Sequence, residues 1–81
     1  MKEYTTIYKV YGCNEEGRRF LDAEFLNFKS ACQYAVAQYG KIHYNLPKVR
    51  KYTYSYDPKT KSVEEKFEEI EPAQIYYMNK I

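Results

Sequence analysis

Two cysteines, Cys13 and Cys32, and the single histidine, His43, are the residues from which a nucleophilic pair could be assembled. A thiolate reacts only where a base or cation lowers its pKa. Cys13 lies in a turn-like stretch beside Glu15 and Glu16, which oppose thiolate formation, and Cys32 falls on the apolar stripe of a helical segment. Nothing in the sequence marks an oxyanion hole. His43 therefore reads as an exposed loop histidine, and both cysteines as free thiols, although a disulfide is open if Cys13 approaches the helix that holds Cys32. Metal-site spacing is absent, since no second cysteine pair and no suitably spaced histidine accompanies them.

Carboxylate pairs occur at Glu15-Glu16, Glu64-Glu65 and Glu68-Glu69. General acid–base work needs two carboxyls in unlike environments, which adjacent surface glutamates do not provide. The glutamates at 64, 65, 68 and 69 also lack the Gly and Asp/Asn spacing of a calcium loop. With three glycines in the chain, no phosphate-cradling loop can be built. The expectation is a protein that is not an enzyme and carries no cofactor and no metal.

Binding chemistry is better represented. The stretch Arg50-Lys51-Tyr52-Thr53-Tyr54-Ser55-Tyr56-Asp57 alternates strictly, placing three tyrosines on one strand face and Lys51, Thr53 and Ser55 on the other. From Lys41 to Lys61 six basic side chains stand against Asp57, a local charge of +5; from Ser62 to Glu71 five glutamates stand against Lys66, a local charge of −4. Two solvated strips that partly pair across a hairpin are the plain reading of this contrast. The sharper one is a basic binding edge beside an acidic edge, made of Lys48, Arg50, Lys51, Thr53, Ser55, Glu64, Glu65, Glu68 and Glu69.

Three partners are compatible with it. A protein partner comes first, because exposed tyrosines with Arg18, Arg19 and Arg50 are the side-chain types that dominate interface hot spots, and the acidic strip could meet a basic surface. Single-stranded nucleic acid is the alternative, with Tyr52, Tyr54 and Tyr56 as stacking platforms and Lys41, Lys48, Arg50 and Lys51 along the phosphates; the Gly-Phe-Gly-Phe character of an RNP strand is missing. A self-assembling protein, for instance a homodimer joined through a tyrosine-rich edge, is the third.

These residues must be held by a small framework. Eighty-one residues make a single domain spanning 1–81. Glu3 to Tyr11 is dense in β-branched and aromatic residues and reads as a strand, followed by a turn over 12–17 in which Asn14, Gly12 and Gly17 supply positive φ. Arg18 to Leu26 alternates Leu21, Ala23 and Phe25 with Asp22 and Glu24 and forms the hairpin partner. Asn27 is a good N-cap for a helix from Phe28 to Tyr39, with Gly40 at its C-terminal end. Phe28, Cys32, Ala35 and Tyr39 share one stripe of that helix, bordered by Ala31 and Val36, and Tyr34 points off it.

After a connection over 41–47, the alternating strand runs from Lys48 to Asp57, and Asp57-Pro58-Lys59-Thr60-Lys61 is a turn by composition. Two patterns compete over 62–71. Ser62 with Glu65 fits a capping box, and Val63, Phe67 and Ile70 recur at helical spacing. A short turn after a strong strand favours an antiparallel return, and the strand is the choice made here. Pro72 suits the first position of a short terminal helix docking Ile75, Met78 and Tyr76.

The fold class is thus α+β: an antiparallel sheet of about four strands in the order β-β-α-β-β, one helix on one face, and a short C-terminal element. The helix stripe needs a large apolar face opposite it, and Tyr52, Tyr54 and Tyr56 are the most regular candidate, which would leave Lys51, Thr53 and Ser55 on the open face. Eleven tyrosines and four phenylalanines with no tryptophan favour a thin two-layer domain in which hydroxyls can reach the rim. The N-terminus lacks the apolar core of a signal peptide and no apolar run approaches membrane length, so a soluble, cytoplasmic protein without a membrane partner is expected. Size and the lack of catalytic residues suit a non-catalytic accessory protein of the phage or mobile-element type, a modulator or inhibitor acting by protein binding.

Overall fold

A computed structural model describes residues 2–14, 16–40 and 47–81. The elements run β1 (Glu3–Cys13), β2 (Arg19–Phe25), α1 (Phe28–Tyr39), β3 (Lys48–Asp57), β4 (Ser62–Glu69) and α2 (Pro72–Lys80). The four strands form one antiparallel sheet in the order β2-β1-β3-β4. The expected α+β class, the strand return over 62–69 and the terminal helix all hold. Lys41 and His43, and with them most of the connection read over 41–47, lie outside the described residues.

Local chemistry accounts for the element ends. Asn14 closes the first turn, its Oδ1 accepting from the backbone N–H groups of Glu16 and Arg18 at 3.0 and 2.9 Å, while Gly17 takes φ 83°. Gly12 is not part of that turn, contrary to the sequence reading; β1 continues to Cys13, and Gly12 is buried within it. Asn27 caps α1 by accepting from Ser30 N–H at 2.9 Å. Gly40 ends the helix in a right-handed conformation, φ −68°, with its N–H donating to the Val36 carbonyl at 2.8 Å. Asp57 Oδ1 accepts from Lys59 N–H in the turn between β3 and β4, and Pro72 opens α2.

Both helices lie on the same face of the sheet. Ala31, Cys32 and Ala35 of α1 pack with Val10 of β1, Val49 of β3 and Ile75 of α2 into a cluster from which solvent is excluded. Tyr8 stacks on Phe28 with ring centroids 5.0 Å apart, and Tyr34 tilts against Phe25 at 5.4 Å. The Tyr34 and Tyr39 hydroxyls both donate to Asp22 Oδ2, at 3.0 and 2.7 Å, and so tie α1 to β2. Asp22 can reach because β1 and β2 slip by one residue between the Val10–Ala23 and Tyr11–Leu21 pairs, a bulge that re-aims the side chain.

The face of β3 that meets the helices corrects the sequence reading. Val49 is in phase with Lys51, Thr53 and Ser55, and it is this face that α1 covers. Tyr52, Tyr54 and Tyr56 point away from the helices. The physical reason lies in the small side chains of α1: alanine and cysteine seat closely on Val10 and Val49, whereas a row of tyrosine rings would hold the helix off the sheet. No helix among the described residues is long and apolar enough to cross a membrane.

Candidate functional site: the open face of the sheet

Twelve residues of α1 rise about 18 Å, whereas the ten residues of β3 extend about 33 Å. Among the described residues, neither helix lies on the second face of the sheet. That face is a grid read directly from the register. Its first full row runs Glu24–Lys9–Arg50–Glu69 across β2, β1, β3 and β4. Beyond β2 the rows continue as Ile7–Tyr52–Phe67, then Thr5–Tyr54–Glu65, then Glu3–Tyr56–Val63.

Aromatic and cationic groups interlock at its centre. Tyr52 stacks on Phe67 at 5.3 Å and on Tyr54 at 6.2 Å. Lys9 Nζ sits 4.2 Å from the Tyr52 ring centroid and 3.8 Å from Glu24 Oε1. The Arg50 guanidinium lies between the Tyr11 and Phe67 rings, 5.0 and 4.8 Å from their centroids, and donates to Glu69 Oε1. Such contacts contribute about 0.5–1 kcal/mol each at exposed sites, and more when shielded from water. They leave Tyr52 only 6% exposed although no helix covers it.

The Tyr52 hydroxyl is a hub, 2.9 Å from the Tyr11 hydroxyl and accepting from Arg50 Nη1 at 3.5 Å. Its pKa is held below the ordinary tyrosine value, first by the bond to Tyr11 and then by that to Arg50. Burial, and then the same bond to Tyr52, raises Tyr11. Arg50 is pushed up by Tyr52 and Glu69, so it stays charged at every accessible pH. Phe67 and Val63 at the outer edge are 54% and 66% exposed.

The nine residues singled out from the sequence divide between the two faces. Alternation puts Lys48, Arg50, Glu65 and Glu69 with the tyrosines. Lys51, Thr53, Ser55, Glu64 and Glu68 belong to the helix side, where Lys51 Nζ lies 4.0 Å from Glu68 Oε1 and both border a pocket with Phe28 of α1 and Gln74 of α2. Basic and acidic strips do pair across the β3–β4 hairpin, through Arg50–Glu69 and Lys51–Glu68. Of the cations that the nucleic-acid reading sets along the phosphates, Lys48 and Arg50 share the face of the tyrosines, Lys51 faces the other way, and Lys41 lies outside the described residues. Lys9, Tyr11, Glu24 and Phe67 were missed. Their signal was the phase of β1 and β4 relative to β3, which only a known register converts into a shared face.

Elsewhere the chemistry is quiet. Both cysteines are free, and Cys32 is fully buried with its thiol pushed up to about 11 by desolvation. Among the described residues no three His, Cys, Asp or Glu side chains gather as a metal site. Fold and face together define a small α+β domain with an antiparallel sheet that is helix-covered on one side and aromatic on the other. Comparison with protein-family models, curated proteins and solved structures found no match to this chain, so function is argued from the face itself.

Proposed function

We propose that the protein is a non-catalytic binding module that docks a partner protein on the open face of its sheet, modulating that partner by occupancy. The observation that carries this reading is the aromatic edge of that face, where Phe67 is 54% exposed and stacks on Tyr52, itself beside Tyr54, with neither helix among the described residues over it. Rigid aromatic anchors beside arginine are the usual composition of interface hot spots, since they remove a large area from water with few rotamers to freeze.

The charge on the face favours protein over nucleic acid. Alternation places Lys9, Arg19, Lys48 and Arg50 there, against Glu3, Glu24, Glu65 and Glu69, which balance. The two central cations are already paired with Glu24 and Glu69. Affinity for a phosphate backbone depends on free cations that displace counterions, and this face has few.

The test is affinity capture from nuclease-treated lysate of the encoding organism, comparing the native chain, Phe67→Asp and Gln33→Glu on the outer side of α1. One protein retained by the native chain and by Gln33→Glu, and lost with Phe67→Asp, is the expected result. Capture indifferent to Phe67→Asp, or a signal obtained only when the nuclease treatment is omitted, overturns the reading. Light scattering that finds a stable dimer dissociated by Phe67→Asp would assign the face to a second copy instead.

A further inference from the structure

β2 and β4 are the two edges of the sheet, and they are unlike each other. β2 is seven residues long and its pairing slips beside Val10, a bulge of the kind that blunts an edge against further pairing. β4 is eight residues long, paired to β3 in unbroken register and exposed along its whole length. The Ile70 N–H donates to the Val49 carbonyl at 3.0 Å, so these two are a hydrogen-bonded pair, and the bonds to β3 recur at every second residue from there. Glu68, Lys66 and Glu64 therefore turn their backbone groups toward β3, whereas Glu69, Phe67, Glu65 and Val63 turn theirs outward to the free edge.

Charges ordinarily guard a free edge. Those of β4 are self-complementary in one register. When a second β4 lies antiparallel to the first with the two Glu65 residues opposite each other, Val63 of each copy meets Phe67 of the other through the outward backbone groups. Glu64 of each copy then stands opposite Lys66 of the other as a non-hydrogen-bonded pair, in which side chains approach most closely. Within one chain neither Glu64 nor Lys66 forms an ion pair among the described residues, and Val63 and Phe67 are both exposed. The two Glu65 carboxylates, meeting at the symmetry axis, oppose the pairing. Neighbouring registers are less favourable: centring on Lys66 sets Glu64 against Glu68 twice, and centring on Phe67 sets Glu65 against Glu69 twice.

We infer that two copies of this chain join edge to edge through β4, in the register centred on Glu65, so that their sheets become one continuous sheet with both sets of helices on the same side. A single strand edge buries less than the roughly 1,200 Å² of a stable complex, so the dimer is weak and forms at high concentration. Edge pairing leaves the tyrosine face open and extends it across the axis, and thus goes beyond the docking reading without depending on it.

Sedimentation velocity and nitrogen-15 NMR of the full chain, at concentrations up to about 1 mM to suit an interface of this size, test it. The expected result is a monomer–dimer equilibrium in which the amides of Val63, Glu65 and Phe67 shift with concentration and those of β2 do not. Lys66→Glu should weaken dimerisation about tenfold by making two attractive cross-strand pairs repulsive, and adding Glu64→Lys to it should restore the affinity to within about twofold. Glu65→Gln should tighten the dimer about threefold by removing the repulsion at the axis, a gain that damage to the fold does not produce. A chain still monomeric at about 1 mM, a Lys66→Glu loss that Glu64→Lys does not repair, or a Glu65→Gln variant that dimerises no better overturns the inference. A dimer lost with Phe67→Asp yet indifferent to Lys66→Glu is packed through the open face, and it overturns edge pairing as well.

Discussion

Replacing Gly12 by alanine tests how α1 is seated. Gly12 is buried in β1 opposite Phe20, and a methyl group there would stand 2.7 Å from Phe20 Cζ and 2.8 Å from Tyr39 Cζ, and closer still to the Tyr39 hydroxyl. Both rings would have to move, at the cost of about 1–3 kcal/mol typical of overpacking. Tyr39 would also leave Asp22, losing a bond to a half-exposed carboxylate that contributes about 1 kcal/mol. Lower backbone entropy of the unfolded alanine chain returns about 0.5 kcal/mol. The net loss is about 1.5–3.5 kcal/mol, a large part of the roughly 3–5 kcal/mol that a domain of this size has. In a thermal melt followed by circular dichroism, a loss of about 2 kcal/mol lowers the midpoint by roughly 8–16 °C. The decisive comparison is Gly12→Ala in a Tyr39→Leu background, which removes the ring tip; the substitution should then cost at least about 1 kcal/mol less. A neutral Gly12→Ala, or one equally damaging in both backgrounds, would refute the contact as the reason for glycine.

Ile75, fully buried where α2 meets the cluster of Val10 and Val49, should be the costliest single truncation in α2: Ile75→Ala is expected to lose about 2–5 kcal/mol and broaden or abolish the melt, whereas Tyr77→Ala on the exposed side should leave it unchanged. Alkaline conditions should destabilise the fold in a defined window. Burial and then the bond to Asp22 push Tyr39 up from 10.0 to about 12, and burial pushes Cys32 up from 9.0 to about 11. A group whose folded pKa is raised contributes stability that is complete below its unfolded pKa and is lost as pH climbs to the folded one. Stability should therefore fall from about pH 9 to about pH 12 and most steeply between about 10 and 11, where the two windows overlap, with Tyr39→Phe flattening the upper part; a flat profile through that window would contradict the desolvated setting of these groups.

Much of the framework was legible in the residues because its signals are local. Alternation located β3 from Lys48 to Asp57, Asn27 marked the start of α1, and Pro72 marked α2. The strand over 62–69 went against its own helical spacing, since β3 offers that segment a hydrogen-bonding edge and a ring for Phe67 to stack on. Gly12, grouped with the turn by type, owes its identity to Tyr39, far along the chain, which no local pattern reveals.

The sequence by itself determined that Tyr52, Tyr54 and Tyr56 share a face, because the side-chain period of a strand is two whatever surrounds it. It could not decide which way that face points. Both faces of β3 offered something to bury, and the choice was made by packing: the small residues Ala31, Cys32 and Ala35 fit Val10 and Val49, and Val49 is out of phase with the tyrosines. The tertiary register likewise decided which distant charges meet, assembling Lys9, Glu24, Arg50 and Glu69 into one row from four strands. Alternation is a property of the backbone, whereas the covered side is a property of how closely two surfaces can approach, and that is settled only when the layers come together.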